Sequence, residues 1–300
     1  MQRIFVVYNP RSSNFCHVKT AVLDKLPGLN GYIIGKYAVK KTDFDDNVAK
    51  LSALIKDEDL VIAAGGDATS AIAVNAAMKS GKSATLAALP FGNFNDLSRN
   101  LGFSTLEDIL TNLHHTKNFY PLDIVIDGTL WRHASCYTTI GMMAESTKIF
   151  DENKIRQKLR KGHHFPWRSY FYLAGWYFKN RHKKHFLENF TFNNESIQKA
   201  SDYIAVNGIS VARVIRGRED YTKSKTFHST TSRLTGLWRL FCFMMKSMFG
   251  NIPGNSTTND IIKFTAPTSV TIQAEGESEV FTATTIEIHK SATPVKVVAR

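Results

Sequence analysis

The first 115 residues alternate short apolar segments, typical of buried strands, with segments whose apolar residues recur at helical spacing. The predicted strands span residues 3–8, 31–39, 60–64 and 84–90, and the predicted helices span residues 17–26, 45–56, 68–80, 94–101 and 104–115. Strands that alternate with helices pair in parallel, and the helices cover the faces of the sheet. We therefore predict an N-terminal α/β domain with a parallel sheet over residues 1–117.

The rest of the chain, residues 118–300, has a different pattern. Apolar and polar residues alternate on both sides of Asp127-Gly128, a pair that is typical of a two-residue hairpin turn. Several later segments repeat this period of two, interrupted by a basic helical stretch over residues 151–185. We predict a second, mostly β domain of antiparallel strands, with residues 151–185 as a helical insertion.

Composition limits the partners and the compartment. The formal net charge is +12, which favours an anionic partner such as a nucleotide, a nucleic acid or a membrane surface. The three cysteines are far apart and match neither a zinc motif nor a disulfide framework, so we expect a reducing, cytoplasmic setting. No apolar run reaches the ~20 residues of a membrane span, and the N-terminal segment lacks the features of a signal peptide.

Three polar loops follow strands of the predicted parallel sheet, at residues 9–13, 65–69 and 90–96. Ligands of such sheets bind beyond the carboxyl ends of the strands. Gly65-Gly66-Asp67 admits two interpretations. The glycines could only mark a turn, with Asp67 or Thr69 as a helix N-cap. Alternatively, the glycines bring backbone N–H groups close to a phosphate, and Asp67 serves Mg²⁺ or a proton transfer. The shared location of the three loops favours the phosphate interpretation.

These loops resemble a known family. The segments VVYNPRSS, VIAAGGDATSAIAVNAAM and ALPFGNFNDLSRNLG are similar to the three glycine-rich signatures of the diacylglycerol kinase catalytic domain, whose superfamily includes the sphingosine kinases and bacterial lipid kinases. The third segment matches this lipid branch better than soluble nucleotide kinases such as NAD kinase. The resemblance implies a two-domain lipid-kinase-like architecture, in which the α/β domain binds the nucleotide and the β domain is a lipid-binding antiparallel β-sandwich. It also implies transfer of the ATP γ-phosphoryl group to a lipid hydroxyl with Mg²⁺, most often on a diacylglycerol-like acceptor.

The resemblance also implies site residues. Asp67 is assigned to catalysis and to the metal, and Glu275 to catalysis as the general base. The cofactor-binding positions are Asn9, Ser12, Thr42, Gly65, Gly66, Asp67, Thr69, Gly92, Asn93, Asn95, Asp96 and Glu277.

Several positions depart from the family pattern. Ala68 replaces the last glycine of G-G-D-G-T, and alanine would be strained there if the backbone needed a positive φ. Phe94 replaces a glycine of the third signature, and Glu275 replaces the aspartate of an Asp-Gly-Glu element. The aspartate-rich metal element of bacterial members is not evident. The alternative hypothesis is therefore a catalytically inactive relative that binds lipid or nucleotide.

A basic stretch from Lys154 to Lys184 contains ten Lys or Arg residues and no Asp or Glu, with aromatic residues interleaved. It could be a solvated basic helix with a buried aromatic face, but the complete absence of acids favours docking onto an anionic membrane surface. Nucleic acid is the competing anion, and no nucleic-acid-binding signature supports it. We therefore expect a cytoplasmic protein associated peripherally with the membrane, acting on a lipid substrate and not on nucleic acid. The oligomeric state stays open, a homodimer included.

Overall fold

A computed structural model describes residues 1–12, 14–40, 43–92, 94–152, 172, 175–176, 179, 187–211, 215–216, 219–232, 242, 246 and 254–300. The chain packs into two compact units. The first comprises residues 1–121, 222–225 and 291–300, and the second comprises residues 122–221 and 226–290.

The first unit is built on a six-stranded sheet. In spatial order its strands are β2 (Ile33–Ala38), β1 (Arg3–Tyr8), β3 (Leu60–Gly65), β4 (Thr85–Pro90), β18 (Val295–Val298) and β5 (Thr116–Phe119). All neighbouring strands pair in parallel except β18 and β5, which are antiparallel. Every residue of β3 is buried, as expected for a central strand covered on both faces. The predicted α/β domain with a parallel sheet is confirmed.

The helices of this unit are α1 (Phe15–Val18), α2 (Phe44–Ser52), α3 (Asp67–Ser80), α4 (Asp96–Leu101) and α5 (Leu106–Thr111). The helix predicted over residues 17–26 is instead α1 followed by a π-helical turn over Lys19–Leu23. Helix α3 is rich in alanine and buries nine residues, because small side chains let it pack closely on β3 and β4. Asp43 caps α2 by accepting the Asp46 N–H at 2.8 Å.

The C-terminal strand β18 inserts between β4 and β5, so the end of the chain returns to the first unit. The sequence did not indicate this return, because four residues of a short apolar run do not reveal which sheet they join. The boundary predicted between residues 117 and 118 stays a prediction, whereas packing places the change of unit after Pro121.

The second unit contains a ten-stranded sheet in which all pairs are antiparallel. Its strands are β6 (Leu122–Ile126), β7 (Thr129–Ala134), β8 (Tyr137–Gly141), β9 (Leu187–Phe192), β10 (Glu195–Ala200), β11 (Asp202–Val206), β14 (Phe227–Ser232), β15 (Asn255–Thr257), β16 (Asn259–Ala274) and β17 (Glu277–Lys290). Two further short strands, β12 (Ser210–Val211) and β13 (Ile215–Arg216), pair with each other, and helix α6 (Met142–Glu152) follows β8. The antiparallel architecture predicted for this part is confirmed.

The long hairpin of β16 and β17 organises this unit. The pairing of β16 with β17 shifts register between Lys263 and Thr268, and β16 pairs with β9 through residues 262–264 and with β8 through residues 272–274. The sheet encloses one apolar core that includes Ile124, Phe190 and Ile272. The hairpin predicted at Asp127-Gly128 is confirmed, because both residues have positive φ between β6 and β7.

Most of the basic stretch from Lys154 to Lys184 lies outside the described residues. Among the residues that are described, no helix is both long and apolar enough to cross a membrane.

Candidate functional site

A single residue connects the central strand to its helix. Gly65 is the last residue of β3, Asp67 is the first residue of α3, and Gly66 links them with extended backbone, φ −92° and ψ −171°. The N–H groups of a first helical turn have no partner within the helix and carry partial positive charge. Within the described part of the chain, no side chain caps the N-terminus of α3. This junction can therefore receive an anionic group.

The backbones at Gly66 and Gly92 approach each other closely, and Gly92 leaves no room for a side chain. A Cβ atom on Gly92 would lie 2.3 Å from the Cα of Gly66, and a Cβ on Gly66 would lie 3.2 Å from the Cα of Gly92. Gly65 is equally crowded, because its Cβ would lie 2.5 Å from Oγ1 of Thr69. The Phe91 N–H also donates to the Gly65 carbonyl oxygen at 3.1 Å. The loops at residues 65–69 and 90–96, here the second and third loops, are thus packed backbone against backbone.

Ala68 does not carry the strain that a positive φ would impose, because it lies in the first turn of α3 with helical backbone. In the third loop the left-handed residue is Asn95, with φ 56°, immediately before α4. Asparagine tolerates this conformation better than most residues. Phe94, beside it, is half-buried. The glycine replacements at these two positions are therefore compatible with the loop geometry.

Asp67 joins the second loop to the third. Its carboxylate accepts the backbone N–H of Asp96 at 2.8 Å and that of Asn95 at 3.3 Å. These bonds place a negative charge at the N-terminus of α4. Burial, followed by the nearby Asp96 carboxylate, raises the pKa of Asp67 to about 6, although hydrogen bonds from the backbone N–H groups of Asp96, Asn95 and Asp67 itself act in the opposite direction. Asp67 is thus mostly ionised in neutral solution, but it takes up a proton at higher pH than an exposed aspartate does.

The side chains of Asn95 and Asp96 make contacts within the third loop and α4. Asn95 accepts the Gly92 N–H at 2.6 Å and donates from Nδ2 to the Gly92 carbonyl oxygen at 2.8 Å. Asp96 is buried and pairs with Arg99 on α4. These contacts fold the loop on itself and present Gly92 to Gly66. The cofactor-binding roles assigned to Asn95 and Asp96 stay predictions.

The loop after β1 is hydrogen-bonded to the third loop. Asn9 Oδ1 accepts the Arg11 N–H at 3.0 Å, and Ser12 Oγ accepts the Asn14 N–H at 3.4 Å. Asn14 Nδ2 donates to the Phe91 carbonyl oxygen at 3.0 Å, which connects this first loop to the third. The sequence analysis missed Asn14, and its position at the end of a polar run was the only signal. Thr42 and Asn93, both assigned to the cofactor, lie outside the described residues.

The second group of assigned residues lies at the tip of the β16–β17 hairpin. Glu275 and Gly276 form its two-residue turn, with φ 52° and 90°, between the paired residues Ala274 and Glu277. Positive φ at both positions is the type I′ pattern, for which glutamate is an uncommon choice. Glu277 is half-buried, and its cofactor-binding role stays a prediction.

The Glu275 side chain turns inward and is only 4% exposed. Its Oε1 accepts the backbone N–H of Cys136 at 2.5 Å. Cys136 belongs to the two-residue connection between β7 and β8, which is buried with it. The carboxylate assigned as the general base is therefore held in place by a backbone donor 139 residues away, and no sequence spacing could reveal that donor.

The described residues contain no group of three or more His, Cys, Asp or Glu side chains that could hold a metal ion. Asp67 could contribute one carboxylate to Mg²⁺, which commonly keeps water and substrate phosphate as its other ligands. The metal role of Asp67 stays a prediction.

Comparison with known proteins supports the resemblance. Residues 3–125 match the model of the diacylglycerol kinase catalytic domain, and this range contains all three loops. A diacylglycerol kinase of Bacillus subtilis (strain 168) is 37% identical over 112 residues, which is 37% of this chain and 36% of that protein. The match thus spans about a third of the curated relative. The family resemblance identified from the sequence is confirmed for residues 3–125.

Solved structures extend the likeness to the whole chain. A putative diacylglycerol kinase from Bacillus anthracis str. Sterne superposes with a TM-score of 0.70 at 18% identity, covering 99% of this chain and 97% of that one. A second structure described in the same way gives a TM-score of 0.68 at 17% identity, with the same coverage. At this identity the likeness shows a shared fold.

Proposed function

We propose that the protein is an ATP-dependent lipid kinase, which transfers the γ-phosphoryl group to a hydroxyl of a diacylglycerol-like lipid. One observation carries the proposal: the backbones of Gly66 and Gly92 pack at the uncapped N-terminus of α3, where a Cβ atom would not fit. These loops lie within the part of the chain that matches the diacylglycerol kinase catalytic domain.

The junction of β3 and α3 fits the phosphate groups of a nucleotide. The first-turn N–H groups of Asp67, Ala68 and Thr69 would donate to phosphate oxygens, and the helix dipole would favour the negative charge. Asp67 would repel that charge unless a cation lay between them. Mg²⁺ would neutralise the phosphate oxygens in this position. Phosphoryl transfer depends mainly on such positioning and charge neutralisation.

Glu275 would act as the general base. As the lipid hydroxyl oxygen bonds to the γ-phosphorus, its proton passes to the Glu275 carboxylate, the bond to the ADP oxygen breaks, and ADP leaves. The bond from the Cys136 N–H holds one carboxylate oxygen and so limits where the other can point. The buried turn supports this role because it orients the carboxylate before the acceptor arrives.

Lipid-dependent release of ADP tests the proposal. The protein, ATP and Mg²⁺ are mixed with detergent micelles that contain diacylglycerol, monoacylglycerol, ceramide, sphingosine or no lipid, and ADP is followed by a coupled assay. We expect ADP release that requires lipid and is fastest with diacylglycerol. If no lipid accelerates ADP release while ATP·Mg²⁺ still raises the melting temperature, the protein binds nucleotide without this activity.

Membrane docking is the second part of the proposal. The basic, aromatic-rich stretch from Lys154 to Lys184 would bring a cytoplasmic protein to an anionic membrane surface, where its lipid substrate resides. Sedimentation with vesicles that contain anionic lipid measures this binding, and raised salt should weaken it because exposed charges are screened. Equal binding to neutral vesicles at high salt would contradict the electrostatic attraction.

A further inference from the structure

The connection between β7 and β8, residues 135 and 136, is held by three hydrogen bonds from one segment. The backbone N–H groups of Asn207 and Gly208 both donate to the Cys136 carbonyl oxygen, at 2.7 and 2.9 Å. The Asn207 Nδ2 donates to the Ser135 carbonyl oxygen at 2.7 Å. Asn207, Ser135 and Cys136 are all fully buried. The Cys136 N–H that holds Glu275 is therefore aimed by Asn207.

Asn207 can hold this connection in only one orientation of its side-chain amide. Nδ2 must face the Ser135 carbonyl oxygen, because a rotation of 180° would bring two acceptor oxygens together. Lys290 fixes the choice by donating from Nζ to Oδ1 of Asn207. A second Lys290 bond runs to the Tyr221 carbonyl oxygen at 2.6 Å.

Lys290 is an unusual residue for this place. Its side chain is 9% exposed, and lysine is rarely buried unless its ammonium is paired. Burial lowers the pKa of Lys290 to about 7, and the nearby Asp220 and Cys136 oppose this shift. The neutral amine still offers two N–H groups, one for each carbonyl oxygen, so the bonds do not require the charged form.

We propose that Lys290 is a positioning residue for Glu275, acting through Asn207 and residues 135–136 to fix the backbone N–H that holds the Glu275 carboxylate. The inference rests on the proposed role of Glu275 as the general base. It assigns a function to a buried lysine at the end of β17, which lies 83 residues from Asn207.

The first test follows the contacts without any assay of activity. Protein labelled with ¹⁵N-cysteine gives one amide resonance for each of Cys16, Cys136 and Cys242, and Cys136→Ser identifies the relevant one. Glu275→Gln should shift this resonance upfield, because the acceptor loses its charge. Lys290→Met, which preserves length and lacks the donor, should shift it in the same direction. Lys263→Met, at an exposed lysine of β16, should leave it in place.

The second test is kinetic. Lys290→Met should lower kcat by about 10-fold to 100-fold, the scale of a displaced catalytic group, with KM for ATP within about twofold. Added to Glu275→Gln, it should cause no further loss, because a residue that acts only through Glu275 has nothing left to orient. If Lys290→Met does not fold, Asn207→Asp serves instead, since it removes the Nδ2 donor at nearly constant volume.

The outcomes separate the two proposals. An unchanged Cys136 resonance in Lys290→Met, or losses that multiply in the double variant, would overturn the positioning role. If the parent transfers phosphate to no lipid, the proposed function fails, and the Cys136 resonance alone still decides whether Lys290 positions Glu275.

Discussion

The two carboxylates assigned to catalysis are held by backbone N–H groups in opposite ways. Asp67 lies at the start of a helix and accepts two N–H groups from the next loop, 28 and 29 residues away. Glu275 lies at the tip of a hairpin and accepts the N–H of a connection 139 residues away. Asp67 therefore holds a loop in place, whereas Glu275 is itself held in place.

The difference predicts how each site responds to mutation. Around Asp67, close approach of glycine backbones sets the geometry, so added atoms should do the most harm. Around Glu275, a chain of donors sets the geometry, so lost hydrogen bonds should do the most harm. The variants below test this contrast, first around Asp67 and then around Glu275.

Asp67→Ala should abolish phosphoryl transfer, because it removes the proposed magnesium ligand and releases the third loop. Below about pH 5, where the folded protein keeps Asp67 protonated and no buried charge is relieved, loss of two cap-like bonds should also lower the free energy of unfolding by about 0.5 to 2 kcal/mol. Asp43→Ala is the matched control, since it removes a similar cap bond from α2. It should cost similar stability, measured by denaturant unfolding, and leave transfer intact. Turnover retained in Asp67→Ala would remove Asp67 from the mechanism.

Gly92→Ala should lower turnover by about 100-fold, because the new Cβ would force the third loop away from Gly66. Stability should fall by about 1 to 3 kcal/mol, the usual cost of overpacking. Gly28→Ala, where a Cβ would meet nothing within 4 Å, should change neither quantity appreciably. A Gly92→Ala protein with parental kinetics would show that close approach of the two loops does not matter.

Glu275→Gln should lower turnover by about 10² to 10⁴-fold and leave nucleotide affinity unchanged, because the proton is accepted only during the reaction. Glu188→Gln, at an exposed glutamate of β9, is the control. Glu275→Asp separates two effects. Aspartate suits the left-handed turn better, but its carboxylate falls about 1.5 Å short of the Cys136 N–H. If Glu275→Asp keeps or raises activity, the relief of strain in the turn matters more. If it lowers activity, the hydrogen bond from the Cys136 N–H to the carboxylate matters more.

The last prediction concerns the pH dependence of stability and leaves turnover aside. The pKa of Asp67 is raised from 3.8 to about 6 in the folded protein, so between these values the folded state retains a proton that the unfolded state releases. Stability should therefore fall as pH rises from about 4 to 6, and the Asp67 contribution should be constant above about 7. At each pH, subtracting the unfolding free energy of Asp67→Asn from that of the parent protein isolates this contribution. If this difference in unfolding free energy rises between about pH 4 and 6, the pKa of Asp67 is not raised.

The sequence predicted the meeting of the loops around Asp67 better than the surroundings of Glu275, for a physical reason. Strand-to-helix junctions in a parallel sheet place their loops at one edge, so Gly65, Gly92 and Asp67 could be expected to meet. What the sequence could not show was that Asp67 accepts backbone N–H groups from the third loop. The sequence also did not reveal why Gly66 and Gly92 are glycines, and the structure shows that their backbones approach each other closely.

The surroundings of Glu275 were not predictable in the same way. Cys136, Asn207 and Lys290 belong to different strands and loops, and antiparallel pairing alone brings them together. Lysine at the end of a strand normally indicates an exposed position. The return of β18 to the first sheet was missed for the same reason, since long-range pairing leaves no local pattern.

Transfer of label from γ-labelled ATP to lipid tests the central claim most directly. The protein is incubated with ATP, Mg²⁺ and mixed micelles that contain diacylglycerol, and the lipid is extracted into organic solvent. The account predicts labelled phosphatidic acid in a one-to-one ratio with ADP, and none in Asp67→Ala. Label that remains in the aqueous phase for every lipid offered, in a protein that still binds ATP·Mg²⁺, would contradict it.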